Sequence, residues 1–231
     1  MKTIGLLGGM SWESTTDYYR LINKGIQQVL GGLHSADIIL YSVDFAPIEE
    51  RQRQGDWPGM AAMLSDAARH IQRAGADFLL ICTNTMHKVA PAIEQAIAIP
   101  LLHIADATAD RLVRDGIKTV GLLGTAFTME QNFYKNRLTE RYGLAVIIPP
   151  ENDRQRVHDI IYDELCQGEI LATSRDHYRR IIDDLAAEGA EAVILGCTEI
   201  GMLIKQAHTT VTLYDTTAIH AARAVEWALD D

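Results

Sequence analysis

The chain repeats itself once. Residues 4–8 read Ile-Gly-Leu-Leu-Gly and residues 120–124 read Val-Gly-Leu-Leu-Gly. Gly75-Ala76-Asp77 leads into residues 78–83 as Gly189-Ala190-Glu191 leads into residues 192–197, with no gap in the match. A third pair sets Ile-Ala-Asp-Ala-Thr-Ala at 104–109 against Leu-Tyr-Asp-Thr-Thr-Ala at 213–218. Three matches in one order, spaced by about 110 residues, define a domain-sized repeat, far longer than the unit of a solenoid. In a chain of 231 residues this predicts two similar lobes. The first copy of the third motif stands where the first lobe hands over to the second, and the last copy is followed by a terminal helix that returns to the first lobe. The expected division is therefore 1–103 with 215–231 for the first lobe and 104–214 for the second.

Short apolar runs rich in Val, Ile and Leu alternate with longer amphipathic stretches, the pattern of strands joined by crossover helices. Strands are expected at 3–7, 38–43, 78–82, 101–104, 119–123, 145–148, 192–195 and 211–214. Helical periodicity marks 57–74, 105–115, 131–142, 156–168, 174–188 and 216–229. The fold class is α/β: two pseudo-symmetric lobes, each a mostly parallel sheet flanked by helices, with the active site expected in the cleft between them.

Composition narrows the function. Lys and Arg total 21 against 31 Asp and Glu, a net charge of −10, which argues against nucleic acid or an anionic membrane as partner. The 3 cysteines, Cys82, Cys166 and Cys197, are unpaired in sequence and too few for a disulfide framework, as expected for a reducing cytoplasm. The opening apolar run is interrupted by Ser11, Trp12 and Glu13 before it could form a signal-peptide core, and no later run reaches membrane-spanning length.

In parallel α/β sheets ligands sit beyond the carboxyl ends of the strands. The repeat sets Thr83-Asn84-Thr85 opposite Cys197-Thr198-Glu199, pairing Thr83 with Cys197 and Cys82 with Gly196. Neighbouring strand residues point to opposite faces, so Cys82 turns away if Thr83 turns toward a ligand. Both tips carry hydroxyl, amide and backbone donors suited to a carboxylate. Gly8-Gly9-Met10-Ser11 and its counterpart Gly124-Thr125-Ala126 are further tips, and neither has the spacing of a nucleotide-binding loop. Cys82 and His87 have no second ligand pair at zinc spacing, so no metal site is expected. A lone Cys is ordinarily buried filler, but Cys197 stands at a strand tip inside a polar Gly-Cys-Thr-Glu run, which marks it as chemical.

At these residues the sequence resembles the aspartate/glutamate racemase superfamily, which includes aspartate, glutamate and hydantoin racemases. The resemblance spans nearly the whole chain. It rests on 4–19 with Gly8-Gly9-Met10-Ser11-Trp12-Glu13-Ser14-Thr15, on Thr83-Asn84-Thr85-Met86-His87, on Ile161-Tyr162-Asp163-Glu164-Leu165, and on Leu195-Gly196-Cys197-Thr198-Glu199. It implies a two-lobed, cofactor-independent enzyme in which one thiol from each lobe flanks the substrate α-carbon. Its partner is a small amino acid. Superfamily members are often dimers, and a homodimer follows here only from that resemblance. Racemisation takes a proton from one face of a carbon and returns one to the other, so an acid and a base must flank it. A thiol with its pKa lowered by helix N-terminal donors serves either role. Asn84, Thr85 and Thr198 are expected to hold the α-carboxylate, with Met10 and Thr125 lining the site from the other two tips.

The chain departs from the family at its first motif. Where relatives carry Cys-Asn-Thr, it has Thr83-Asn84-Thr85, with Cys82 one step early. Either Cys82 has slipped into the catalytic role or Thr83 occupies it, and the repeat favours Thr83 because a one-residue slip reverses a strand side chain. An alcohol is a far weaker acid than a thiol, so Cys197 is expected to carry the harder abstraction. The resemblance implies that the second-motif thiol serves the face from which the L-enantiomer loses its proton, so the expected enzyme favours the L-enantiomer in kcat. The resemblance also implies that Arg51, Gln52 and Arg53 lie where relatives contact the substrate side chain. Some acidic-substrate relatives have Lys just after the Asp-Glu-Leu stretch, where this chain has Cys166 and Gln167, so a broader substrate range is open. The competing functions are a broad-specificity racemase, a single-thiol decarboxylase or cis-trans isomerase of the same superfamily, and a non-catalytic two-lobed binding protein.

Overall fold

The computed structural model describes residues 1–230 and divides into two compact units, Met1–Ile104 with His220–Asp231, and Ala105–Ile219. All eight expected strands are present, four in each unit, in two fully parallel sheets.

The first unit contains β1 (Ile4–Gly8), α1 (Trp12–Leu30), β2 (Ile38–Ser42), α2 (Phe45–Gln54), α3 (Trp57–Arg73) and β3 (Phe78–Ile81). A 3₁₀ turn (Thr85–Val89), α4 (Ala90–Ala96) and β4 (Leu101–Leu102) complete its first segment. The sheet order is β2-β1-β3-β4, with Ile4 paired to both Ile38 and Phe78. Alternation sorts the strands into two cores. Leu7, Leu79 and Ile81 pack with Ile48, Met60, Leu64 and Ile71, beneath α2 and α3. Ile4, Leu6, Phe78, Leu80 and Cys82 pack with Tyr18, Ile22 and Ile26 of α1 and with Ala221, Ala224 and Val225.

Helix α1 was not marked by the apolar period because polar residues interrupt it. Its buried stripe is Ser14, Thr15, Tyr18, Ile22 and Ile26, at three- and four-residue steps. Gly25 lets the neighbouring helix approach closely, since a Cβ there would stand 2.7 Å from Val225 Cγ2. Helices α2 and α3 begin at Asp44 and Asp56, whose carboxylates accept from Ala46 N and Gly59 N.

The second unit repeats the plan. It contains β5 (Thr119–Gly124), α6 (Ala126–Glu130), α7 (Asn132–Tyr142), β6 (Ala145–Ile147) and α8 (Glu151–Asp163). A 3₁₀ turn (Leu165–Gln167), α9 (Ala172–Ala187), β7 (Ala192–Gly196), α10 (Ile200–Leu203) and β8 (Thr212–Asp215) follow. The order β6-β5-β7-β8 matches the first sheet position for position. The chain passes between units inside two helices, α5 (Ile104–Arg114) and α11 (Thr216–Leu229). The helix expected at 156–168 instead starts at Glu151, capped by Pro150, and gives way to the 3₁₀ turn that Gly168 ends at φ 80°. Its first turn is polar and carries no apolar period, so the pattern registered late. Among the described residues no helix is long and apolar enough to cross a membrane.

Candidate active site

Because every strand in a unit runs the same way, the carboxyl ends of each sheet share one edge. In the first unit that edge carries Gly8–Ser11 after β1 and Thr83–Thr85 after β3, on adjacent strands with Leu7 paired to Ile81. In the second it carries Thr125 after β5 and Cys197–Glu199 after β7, with Gly124 paired to Gly196.

The strand phase separates Cys82 from Thr83. Cys82 continues the Phe78–Leu80 row into the core against α1, is fully buried, and its thiol is driven well above its ordinary range by that burial. Thr83 is half-buried, Asn84 and Thr85 are buried, and the 3₁₀ turn begins at Thr85. The backbone of the Gly-rich tip is already engaged: Gly9 N donates to Thr15 Oγ1 at 2.8 Å, and Thr15 Oγ1 donates to Ser11 O at 2.8 Å. The Met10 side chain packs with Leu7, Ile48, Met60 and Met86, in the core rather than at an open surface.

Gln52 lies on the buried stripe of α2, one turn after Ile48. It is 3% exposed, and neither its amide nitrogen nor its amide oxygen has a partner among the described residues. Leaving such a pair unmet costs roughly 1–3 kcal/mol per group. Its neighbours differ. Arg51 is bonded to Asp56, the cap of α3, and Arg53 is 71% exposed beside Glu49 at 4.0 Å.

In the second unit, Thr125 caps α6, its Oγ1 accepting from Thr128 N at 3.3 Å. The β7 tip is built around a carboxylate. Cys197 is 9% exposed and its Sγ donates to Glu199 Oε2 at 2.9 Å; Thr198 Oγ1 donates to the same oxygen at 2.9 Å. The expectation of a thiol acidified by helix donors is corrected here. Burial, the Glu199 carboxylate and Cys166 raise Cys197 well above its ordinary 9.0, and α10 is a single turn. The start of α11 supports this tip, with Thr216 Oγ1 donating to Leu195 O at 2.8 Å and Thr217 Oγ1 to Thr198 O at 3.5 Å. At the position where some relatives carry Lys, the Cys166 thiol is raised by burial and by the charge of Glu199.

Such an arrangement keeps the thiol protonated at rest with a carboxylate already touching its proton, a base in place to uncover the thiolate when a substrate arrives. Glu199 was present in the motif but not singled out. The signal that could have found it is an acidic residue two positions after Cys, beyond a strand end. Among the described residues, no group of three or more His, Cys, Asp or Glu could hold a metal ion.

A duplicated parallel α/β fold with a thiol–carboxylate pair at one strand tip is the architecture of an amino-acid racemase, an isomerase. The chain belongs to the Asp/Glu/Hydantoin racemase family, whose model matches residues 7–224. It is similar to a Yersinia pestis crystal structure provisionally assigned as an Asp/Glu racemase, with 56% identity, full coverage of both chains and a TM-score of 0.92. An aspartate racemase homologue from Pyrococcus horikoshii is 33% identical over the whole of both chains, with a TM-score of 0.85. The broad specificity amino-acid racemase RacX of Bacillus subtilis is 23% identical over 225 residues, 96% of each chain.

Proposed function

We propose that the protein is a cofactor-independent racemase of aspartate and glutamate that uses Cys197 and Thr83 as an unequal acid/base pair. The observation that carries this reading is the hydrogen bond from Cys197 Sγ to Glu199 Oε2. Glu199 takes the thiol proton, the thiolate removes the α-proton of the L-enantiomer, and the Thr83 hydroxyl delivers a proton to the opposite face. Water then reprotonates the Thr83 oxygen, the hydroxide so formed takes the proton held by Glu199, and Cys197, now carrying the proton removed from the substrate, is again a thiol against the Glu199 carboxylate. In the reverse direction Thr83 must first become an alkoxide, which is scarcely populated at neutral pH, so turnover from D is slower. The two enantiomers are equal at equilibrium, so the bias lies in kcat and initial exchange, balanced by KM.

Asn84, Thr85 and Thr198 hold the α-carboxylate, Thr125 borders the edge that carries Thr198, and Met10, buried in the core cluster with Leu7, backs the Gly-rich tip. Gln52 is the side-chain contact: its unmet amide N–H can donate to a carboxylate, and its N–H and C=O together match an amide. A second reading, a broad-specificity racemase, has its own support. The guanidinium of Arg51 is spent on Asp56, and the position of a Lys in some relatives holds Cys166, which leaves a neutral amide where a cation would select acids. Initial α-deuterium exchange in heavy water, measured across L-aspartate, L-glutamate and neutral L-amino acids, tests both. Exchange confined to the two acids supports the first reading, exchange across the series supports the second, and none anywhere rejects a racemase.

A further inference from the structure

Thr83 stands one residue past the last ladder bond of its strand, from Cys82 N to Leu7 O. Four residues later the chain brings in a buried imidazole. His87 donates from Nδ1 to Thr83 O at 2.8 Å and accepts at Nε2 from Ile104 N at 3.2 Å. A carbonyl can only accept and an amide N–H can only donate, so these two partners select one neutral tautomer, with its proton on Nδ1. Other rings confine it. His103 lies with its centroid 4.3 Å away, and His220 meets it edge-on at 6.2 Å. His220 is itself held by Tyr18 Oη at Nδ1 and by Leu102 O at Nε2, each at 2.8 Å.

We propose that His87 is a positioning residue for Thr83: by gripping the Thr83 carbonyl it fixes the peptide that aims the hydroxyl at the substrate. This rests on the reading of Thr83 as the second acid/base group. Turning the 83–84 peptide is the motion that re-aims the tip, and a bond to its carbonyl opposes that motion. The corresponding tip of the second unit is held by hydroxyls from α11.

Two substitutions divide the ring's functions. In His87→Asn the side-chain amide nitrogen falls near the place of Nδ1 and keeps the bond to Thr83. In His87→Gln the amide oxygen falls near the place of Nε2 and keeps only the bond from Ile104. The readout is the ratio of α-deuterium wash-in, retained as the L-enantiomer, to inversion, starting from L-aspartate or L-glutamate. Wash-in needs Cys197 alone, whereas inversion needs delivery by Thr83. Being a ratio, it does not depend on how much protein is folded. His87→Gln is expected to raise it about tenfold, the effect of losing one buried hydrogen bond at the reacting face, while His87→Asn stays near the parent. A parent-like ratio in His87→Gln, or an equal rise in both variants, overturns the proposal. If the parent shows no wash-in, or Thr83→Ala leaves the ratio unchanged, the racemase reading has failed instead. Should neither His87 variant fold, the imidazole nitrogen spectrum of the parent decides: a neutral ring with its proton on Nδ1 supports the assignment, and a complete lack of that tautomer overturns it.

Discussion

The tips of β3 and β7 occupy the same place in two sheets of the same strand order, yet they are built from different chemistry. The first ends in a hydroxyl whose main chain is held by a neutral imidazole, over a core that has room for the Cys82 sulfur. The second ends in a thiol bonded to a buried carboxylate, and the position matching Cys82 is Gly196. A Cβ at Gly196 would lie 2.7 Å from Leu123 O and 2.8 Å from Leu122 Cδ1, so the second sheet has no space for that side chain. Duplication supplied the frame, and local packing decided which side chain each tip could hold. On the proposed reading, the β7 tip supplies the stronger acid/base group and the β3 tip the weaker one.

That asymmetry can be broken by substitution. The largest loss is expected from Cys197→Ser, which removes the thiolate: initial α-deuterium exchange from the L-enantiomer should fall about a thousandfold with the circular dichroism spectrum unchanged. Next, Thr83→Ala should lower kcat/KM for inversion about a hundredfold. Cys82→Ala should leave kcat/KM within about twofold while costing about 1 kcal/mol in urea denaturation, through lost packing alone. The opposite ranking would make Cys82 the second acid/base group.

The tips should also weaken at opposite ends of the pH scale. Full burial lowers His220 from 6.5 to about 4, so between those values the unfolded chain binds the proton and the folded one does not. Its contribution is complete above pH 6.5 and is lost as pH falls to 4, about 3 kcal/mol of folding stability. The thiols of Cys197 and Cys166 are raised, so the folded chain holds their protons more tightly. Their contribution is complete below the ordinary thiol value of 9.0 and falls as pH rises beyond it. Denaturation across pH should show a larger acid-side loss in the parent than in His220→Gln, which keeps the smaller loss from His158, also lowered by burial; superimposed curves would reject the assignment.

Smaller effects sharpen the pairing. Glu199→Gln removes a negative charge from beside the Cys197 thiol, so the thiol's titration, followed by thiolate absorbance or alkylation rate, should move to lower pH. The kcat at neutral pH should nevertheless drop about tenfold, because the carboxylate that takes the proton is gone. Replacing the hydroxyl in Thr83→Cys should raise kcat from D-aspartate or D-glutamate severalfold, by restoring a usable base on the D-face. No gain from D, or equal kcat from both enantiomers in the parent, would remove the asymmetry altogether.

Much of this architecture is written locally. The central strands β1, β3, β5 and β7 are short β-branched or Leu-rich runs buried on both faces, recognisable without a distant partner, and the duplicated Gly-Leu-Leu-Gly and Gly-Ala-Asp/Glu motifs reveal the two sheets. That Cys82 turns into the core is legible for the same reason, since alternation along a strand is a property of the backbone. Helix α1 and the start of α8 were harder, because their buried stripes include Ser and Thr or open on a polar turn.

The sequence by itself determined the fold class, the duplication, the family and the positions of the two tips, all of which follow from short-range periodicity and contiguous motifs. Tertiary structure alone decided the state of the groups placed there. A thiol's acidity depends on burial and on which charge stands within a few ångströms, and that is how Cys197 comes to be held protonated against Glu199 rather than acidified. Whether Arg51 is free, whether Gln52 keeps unmet hydrogen-bonding groups, and which His87 nitrogen carries the proton depend on partners contributed by Asp56, the α2 packing face and Ile104. A pattern along one chain carries no information about distance in space, and electrostatics and hydrogen bonding are functions of distance.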